Sequence, residues 1–149
     1  MVKKPIKEIR IITEDPYYKI GKKDIGYINF QDLKAYFTQK DIISLKNQYK
    51  AAEGFLLTPK YIFNLRIIHE NELLSYKAEG KYFWEEFNKK HGNVSFMFVG
   101  KPLFSLDKKR VIISYGYYCG GLCGRGEKVI LKKVKENWVV EKVLSGFVS

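Results

Sequence analysis

Residues 110–134 read RVIISYGYYCGGLCGRGEKVILKKV, and the fold follows from how this stretch is divided. Before its centre, Val111, Ile113, Tyr115 and Tyr117 recur at every second position, with Ser114, Gly116 and Tyr118 alternating against them. A period of two is the signature of a strand. The centre is different: residues 115–126 hold both cysteines and five of the twelve glycines of the chain. Glycine is kept where the backbone needs positive φ or an unobstructed approach, so the centre predicts a tightly folded loop between two strands. Working outward, residues 94–99, 110–118, 128–134 and 138–143 all carry the two-residue period. Their connectors are short, which favours antiparallel neighbours.

Upstream the period changes to that of a helix. Thr38 is placed to cap a helix with Asp41 in its electropositive first turn, and Ile42, Leu45, Tyr49 and Ala52 share one face before Gly54. A second apolar stripe, Leu73, Tyr76, Gly80, Phe83, Trp84 and Phe87, marks a helix over residues 70–90, closed by His91-Gly92 and open to a break at Gly80. Glu72, Glu79 and Glu86 recur at seven and read as its charged outer face. Residues 65–69 read as a short strand, 6–13 as a β-branched run able to pair at a sheet edge, and 14–26 as loop. Trp84 and Phe87 are assigned to the core, and Trp138 is expected to pack against the helices. The fold class is therefore α+β: two amphipathic helices packed on a C-terminal four-stranded antiparallel β-meander. One domain spans residues 1–149, with a strand and loop segment at 1–36, a helical part at 37–92 and the sheet at 93–149.

Composition narrows the function classes. The chain has 149 residues, 46% hydrophobic and 29% charged, which is a globular rather than a disordered balance. No apolar run approaches the roughly 20 residues needed to cross a bilayer as a helix. A net charge of +11 invites a nucleic-acid reading. Lysine doublets at 3–4, 22–23, 89–90, 108–109 and 132–133 instead scatter over turns and element ends, and lysine far outnumbers the arginine suited to gripping phosphate. Nucleic-acid binding is therefore ranked below a solvated basic surface. No leader peptide is visible behind the opening Met-Val-Lys-Lys-Pro.

Cys119 and Cys123 bracket Gly120, Gly121 and Leu122. A turn of that size can bring Cα atoms within disulfide reach, and closing it would remove about 2 kcal/mol of unfolded-state entropy. A disulfide-pinned loop is favoured over two free thiols. The competing chemistries each lack a part. A thioredoxin-type pair has two intervening residues and a helix behind it, whereas here three intervene and a strand follows. A structural zinc site would have to recruit the distant His69 and His91. Gly121 to Gly126 has the interval of a phosphate-binding loop, but Glu127 precedes Lys128 and no helix follows. Neither histidine has a catalytic context with Ser114 or Ser145, and no cofactor motif is present. Tyr117 and Tyr118 at the loop base are weighed as sheet packing against ligand contact. Arg125 is the residue chosen for any anion or partner carboxylate.

The run from Phe104 to the closing Phe147-Val148-Ser149, with Tyr-Tyr-Cys-Gly-Gly-Leu-Cys-Gly-x-Gly, then Ile130-Leu131-Lys132-Lys133 and Trp138-Val139-Val140, resembles an uncharacterised group of bacterial proteins. Those proteins share a Cys-Gly-x-Leu-Cys-Gly-x-Gly loop followed by Leu-x-Lys and Trp. Residues 41–48 and Trp84-Glu85-Glu86-Phe87 are similar to that group too, so the resemblance covers residues 37–149. It implies an exported or lipid-anchored envelope protein with an oxidised loop, and it brings no established activity. The chain departs from the group in having Phe147 where a Trp is expected, and in showing no signal peptide, which leaves the cytoplasm as the alternative location.

The expectation is a non-enzymatic binding protein of the bacterial periplasm or envelope, inhibitor-like or immunity-like. Tyr117, Tyr118, Gly120, Gly121, Leu122, Gly124 and Arg125 would form its recognition loop, for a protein or a small anionic ligand. The alternatives are a thiol-redox or metal-binding protein using Cys119 and Cys123, and a basic nucleic-acid-binding domain.

Overall fold

The structure, a computed structural model, describes residues 8–15, 29, 31–52, 54–78 and 80–148. Strand β1 is Ile9–Glu14, β2 Arg66–Ile67, β3 Ser95–Val99, β4 Leu103–Phe104, β5 Arg110–Gly120, β6 Cys123–Val134 and β7 Asn137–Val148. The helices are α1 (Gln39–Lys50), α2 (Glu70–Ser75) and α3 (Phe83–His91). The architecture is α+β with a mixed sheet of seven strands in the order β2-β1-β3-β5-β6-β7, and β4 pairs with β5. A four-stranded meander with two helices was too small an expectation. β1 joins the sheet between β2 and β3 and runs parallel to both, a non-local pairing that no sequence period announces. Of the expected strand at 6–13, residues 6 and 7 lie outside the described residues, as does most of the loop at 14–26.

Helix α1 starts as its sequence dictates. The Asp41 amide donates to Thr38 Oγ1 at 3.1 Å and the Thr38 amide to Asp41 Oδ2 at 3.0 Å, a reciprocal capping box. The second oxygen of the same carboxylate, Asp41 Oδ1, accepts the Leu106 amide at 2.8 Å, tying the β4–β5 turn to the helix. Further along, the Gln48 side chain donates to the Phe104 carbonyl at 2.8 Å and accepts its amide at 2.9 Å. One amide side chain thus satisfies a residue of the short strand β4. The expected second helix is two helices, α2 and α3; α2 ends at Ser75, and Gly80 in the segment between them has a left-handed φ of +78°. Glu72 lies on α2 and Glu86 on α3, so the seven-residue acidic stripe is not a feature of one helix; Glu79 lies outside the described residues.

Two apolar clusters lie side by side on one face of the sheet. Leu33, Phe37, Ile42, Leu45, Leu103, Ile112 and Ile130 form the first, against α1. Ile11, Ile68, Leu73, Tyr76, Phe87 and Phe96 form the second, against α2 and α3. Phe87 is fully buried and Trp84 packs on this second cluster, as core residues. Trp138 is a correction: it is 39% exposed and meets Phe104 edge-on at 6.3 Å, at the far end of the sheet from α3. Among the described residues β7 is the last strand of the sheet and pairs with β6 alone.

The glycines are corrected as well. There is no long glycine loop: β5 runs to Gly120 and β6 begins at Cys123, so Gly116, Gly120, Gly124 and Gly126 are strand residues. Phe98, Gly116, Gly126 and Phe147 stand in one row across β3, β5, β6 and β7. The Phe98 and Phe147 rings stack 6.3 Å apart at 10° over the two glycines. A Cβ on Gly116 would lie 2.5 Å from Phe98 Cζ, and one on Gly126 would lie 2.9 Å from that same atom. Bare backbone here is what lets aromatic rings cover the sheet. Gly116→Ala is expected to lower stability by about 1–3 kcal/mol, the range for overpacking. Denaturant titration with unchanged slope would show it, and an undisturbed midpoint would refute the packing account.

Candidate functional site

The β5–β6 connection is a two-residue turn. Gly120 pairs with Cys123, Tyr118 pairs with Gly124, and Cys119 is the extra residue where the register shifts. Gly120 has φ +155°, backbone that favours glycine. Cys119 and Cys123 are bonded across this bulge with Cα atoms 5.0 Å apart, inside the disulfide range. Gly121 and Leu122 form the tip. A Cβ on Gly121 would stand 2.8 Å from the Tyr82 hydroxyl and 3.7 Å from Trp84 Cδ1, so the tip leans on the start of α3. Leu122 is 92% exposed. An apolar side chain is therefore held in water on a support fixed from two directions.

The other residues expected at this site separate. Tyr118 lies within the aromatic layer, 5.6 Å from Phe96, 5.4 Å from Phe98 and 5.7 Å from Phe147. Tyr117 and Arg125 are cross-strand partners on the opposite face. Arg125 Nη2 donates to Glu127 Oε1 at 3.1 Å, and Tyr115 donates to Glu127 Oε2 at 3.1 Å. The Arg125 guanidinium thus shares a carboxylate with its own strand, which lessens its attraction for an outside anion. Gly124 is buried backbone. The structure brings Gly120, Gly121 and Leu122 to the tip and distributes the rest over two faces.

Two polar groupings have no counterpart in the sequence reading. Glu14, at the end of β1, is buried, and its carboxylate accepts the Leu57 amide at 2.9 Å, the Glu70 amide at 3.0 Å and His69 Nδ1 at 2.6 Å. Burial raises the pKa of Glu14, but these donors outweigh it and hold the carboxyl below its ordinary range. The arrangement orients the half-exposed His69 ring and anchors two chain segments to β1. Beside it, Ser114 Oγ donates to Asp15 Oδ2 at 2.8 Å, and Lys128 is the cross-strand partner of Ser114. Burial pushes the Lys128 ammonium down while Asp15 opposes that shift. The acidic pair Glu14-Asp15 closing a β-branched run was the one available hint. Among the described residues, no three His, Cys, Asp or Glu side chains are grouped to hold a metal ion.

Comparison with family models, with curated proteins and with solved structures finds no match to this chain. No helix among the described residues is long and apolar enough to cross a membrane.

Two outcomes follow from this geometry. Replacing both cysteines by serine is expected to lower stability by about 2 kcal/mol, the entropy of so short a loop, leaving the β5–β6 ladder intact by hydrogen exchange. For Glu14 the folded pKa is depressed, so its contribution is complete above the unfolded value of about 4.3 and is lost as pH falls below it. Glu14→Gln should therefore be less stable at neutral pH and show a shallower loss on acidification. An acid limb unchanged from wild type would exclude Glu14 as its source.

Proposed function

We propose that this chain is a non-enzymatic binding protein of the bacterial envelope, inhibitor-like or immunity-like, that offers the β5–β6 hairpin to a partner protein. The single observation that carries the reading is Leu122, 92% exposed at the tip of a turn pinned by Cys119–Cys123 and seated beside Tyr82 and Trp84. A large apolar side chain in water is a standing free-energy cost that a partner pocket removes. The rigid support means little conformational entropy is lost on docking. Tyr82, also exposed, extends the same surface with an amphipathic ring. Location in the envelope is supported by the resemblance of residues 37–149 to exported proteins and by the oxidised pair, which persists in such compartments.

Thiol-redox chemistry is the reading to test against it, and the buried position of Cys119 weighs towards a structural bridge. The partner is sought by crosslinking in a native envelope extract, and affinity is then measured with the purified partner. Leu122→Asp is expected to weaken binding about 30-fold, the effect of losing a central apolar anchor, with the fold unchanged by circular dichroism. The cysteine-to-serine pair should bind more weakly than wild type through lost rigidity. Equal affinity of wild type and Leu122→Asp for the same partner would remove the hairpin from the interface. Ready reduction of the bridge by glutathione would favour redox chemistry instead.

A further inference from the structure

At the end of the sheet opposite the disulfide, two turns lie against each other. The β4–β5 turn carries Leu106, Asp107, Lys108 and Lys109, and the β6–β7 turn carries Lys135 and Glu136. The Lys133 amide donates to the Lys109 carbonyl at 2.8 Å, and Arg110 pairs with Lys132, so the turns share one end of the ladder. Lys108, Lys109, Lys132, Lys133 and Lys135 are all exposed there. Against these five lysines and Arg110 stand four acids: Asp41, which accepts the Leu106 amide at 2.8 Å, Asp107, Glu136, and Glu141, which is held by Arg110 at 2.8 Å. The end therefore keeps a local excess of positive charge.

Both turn tips share one backbone conformation. Lys108 has φ +59° and Lys135 φ +56°, left-handed positions that glycine or asparagine occupies at less cost. Both turn tips thus hold an ammonium group where local propensity disfavours a long side chain. The turns require positive φ at these tips whatever residue fills them, so lysine in place of glycine or asparagine costs local stability. Large apolar side chains stand exposed among the lysines at this end: Leu106 in the turn, Trp138 with Lys133 on one face of the sheet, and Val134 and Val139 with Lys132 on the other. Trp138 is the cross-strand partner of Lys133. Tryptophan and aliphatic side chains beside lysine are the composition that enters a headgroup layer, with the ammonium groups at phosphate level. Lysine without grouped arginine suits a diffuse anionic surface better than a fixed phosphate geometry.

We propose that this end of the sheet docks end-on on an anionic phospholipid surface, with Leu106, Val134 and Trp138 at its tip inserted among the headgroups from both faces and the surrounding lysines paired with lipid phosphates. The proposal uses the opposite end of the sheet from the hairpin and stands without the partner reading, so the two fail separately.

The test is sedimentation of the full chain with vesicles of phosphatidylcholine alone and of phosphatidylcholine mixed with phosphatidylserine. Wild type should partition onto the mixed vesicles, less so as salt rises, with a blue shift of tryptophan emission that Trp138→Phe abolishes. The double variant Lys108→Asn/Lys135→Asn places a residue tolerant of left-handed backbone at both tips. It should be at least as stable to heat as wild type and partition about 30-fold more weakly. Gained stability with lost membrane binding separates a docking role from a folding role. Equal partition of variant and wild type, or equal partition onto neutral vesicles, overturns the proposal. Tighter binding to duplex DNA than to mixed vesicles at one salt concentration overturns it in favour of a nucleic-acid surface.

Discussion

Phe98 and Phe147 begin on strands three ladder steps apart, roughly 14 Å at the usual strand spacing, yet their rings meet at 6.3 Å. They meet because Gly116 and Gly126 between them carry nothing that would hold the rings upright. Tyr118 stacks on Phe147 and meets Phe98 and Phe96 at a tilt, so the contact leads directly into the cluster under α2 and α3. Strand β7 is fastened to the rest of the sheet by this aromatic layer as well as by its hydrogen bonds. Side chains at 116 or 126 would part the rings and weaken both that strand and the cluster together.

The same β5–β6 ladder separates two ends with different surfaces. β5 has eleven residues, a span of roughly 35 Å between its ends. At one end the disulfide and the contact with Tyr82 and Trp84 hold Leu122 in water. At the other, two adjacent turns gather lysines around exposed apolar side chains. The two surfaces thus lie at opposite ends of one ladder.

Charge inside the fold is handled by compensation. Glu14 gathers two backbone amides and His69, so a buried carboxylate becomes the junction between β1, the segment at Leu57 and the start of α2. Asp15 and Ser114 form a hydrogen-bonded pair on the face that also carries the two apolar clusters, with Lys128 across the ladder. Polar groups of this kind contribute little net stability but penalise wrong registers, because a shifted strand would leave them without partners.

The local features were legible in the residues. Thr38 and Asp41 specify the start of α1, Gly80 falls in the break of the second helical stretch, and the period of two marks β3, β5, β6 and β7, since each of these depends on neighbours a few positions away. The spacing of Cys119 and Cys123 likewise favoured a bridge over free thiols, and the structure places the pair at disulfide distance. The glycines misled, because glycine signals loops by local propensity, whereas here it serves rings on Phe98 and Phe147, residues 18 and 21 positions away from Gly116 and Gly126. The parallel placement of β1, the joining of Glu14 to His69 and the exposure of Trp138 were decided by tertiary structure alone. Each is set by which distant strand lies alongside, a choice made by the summed burial of the whole sheet rather than by any local pattern.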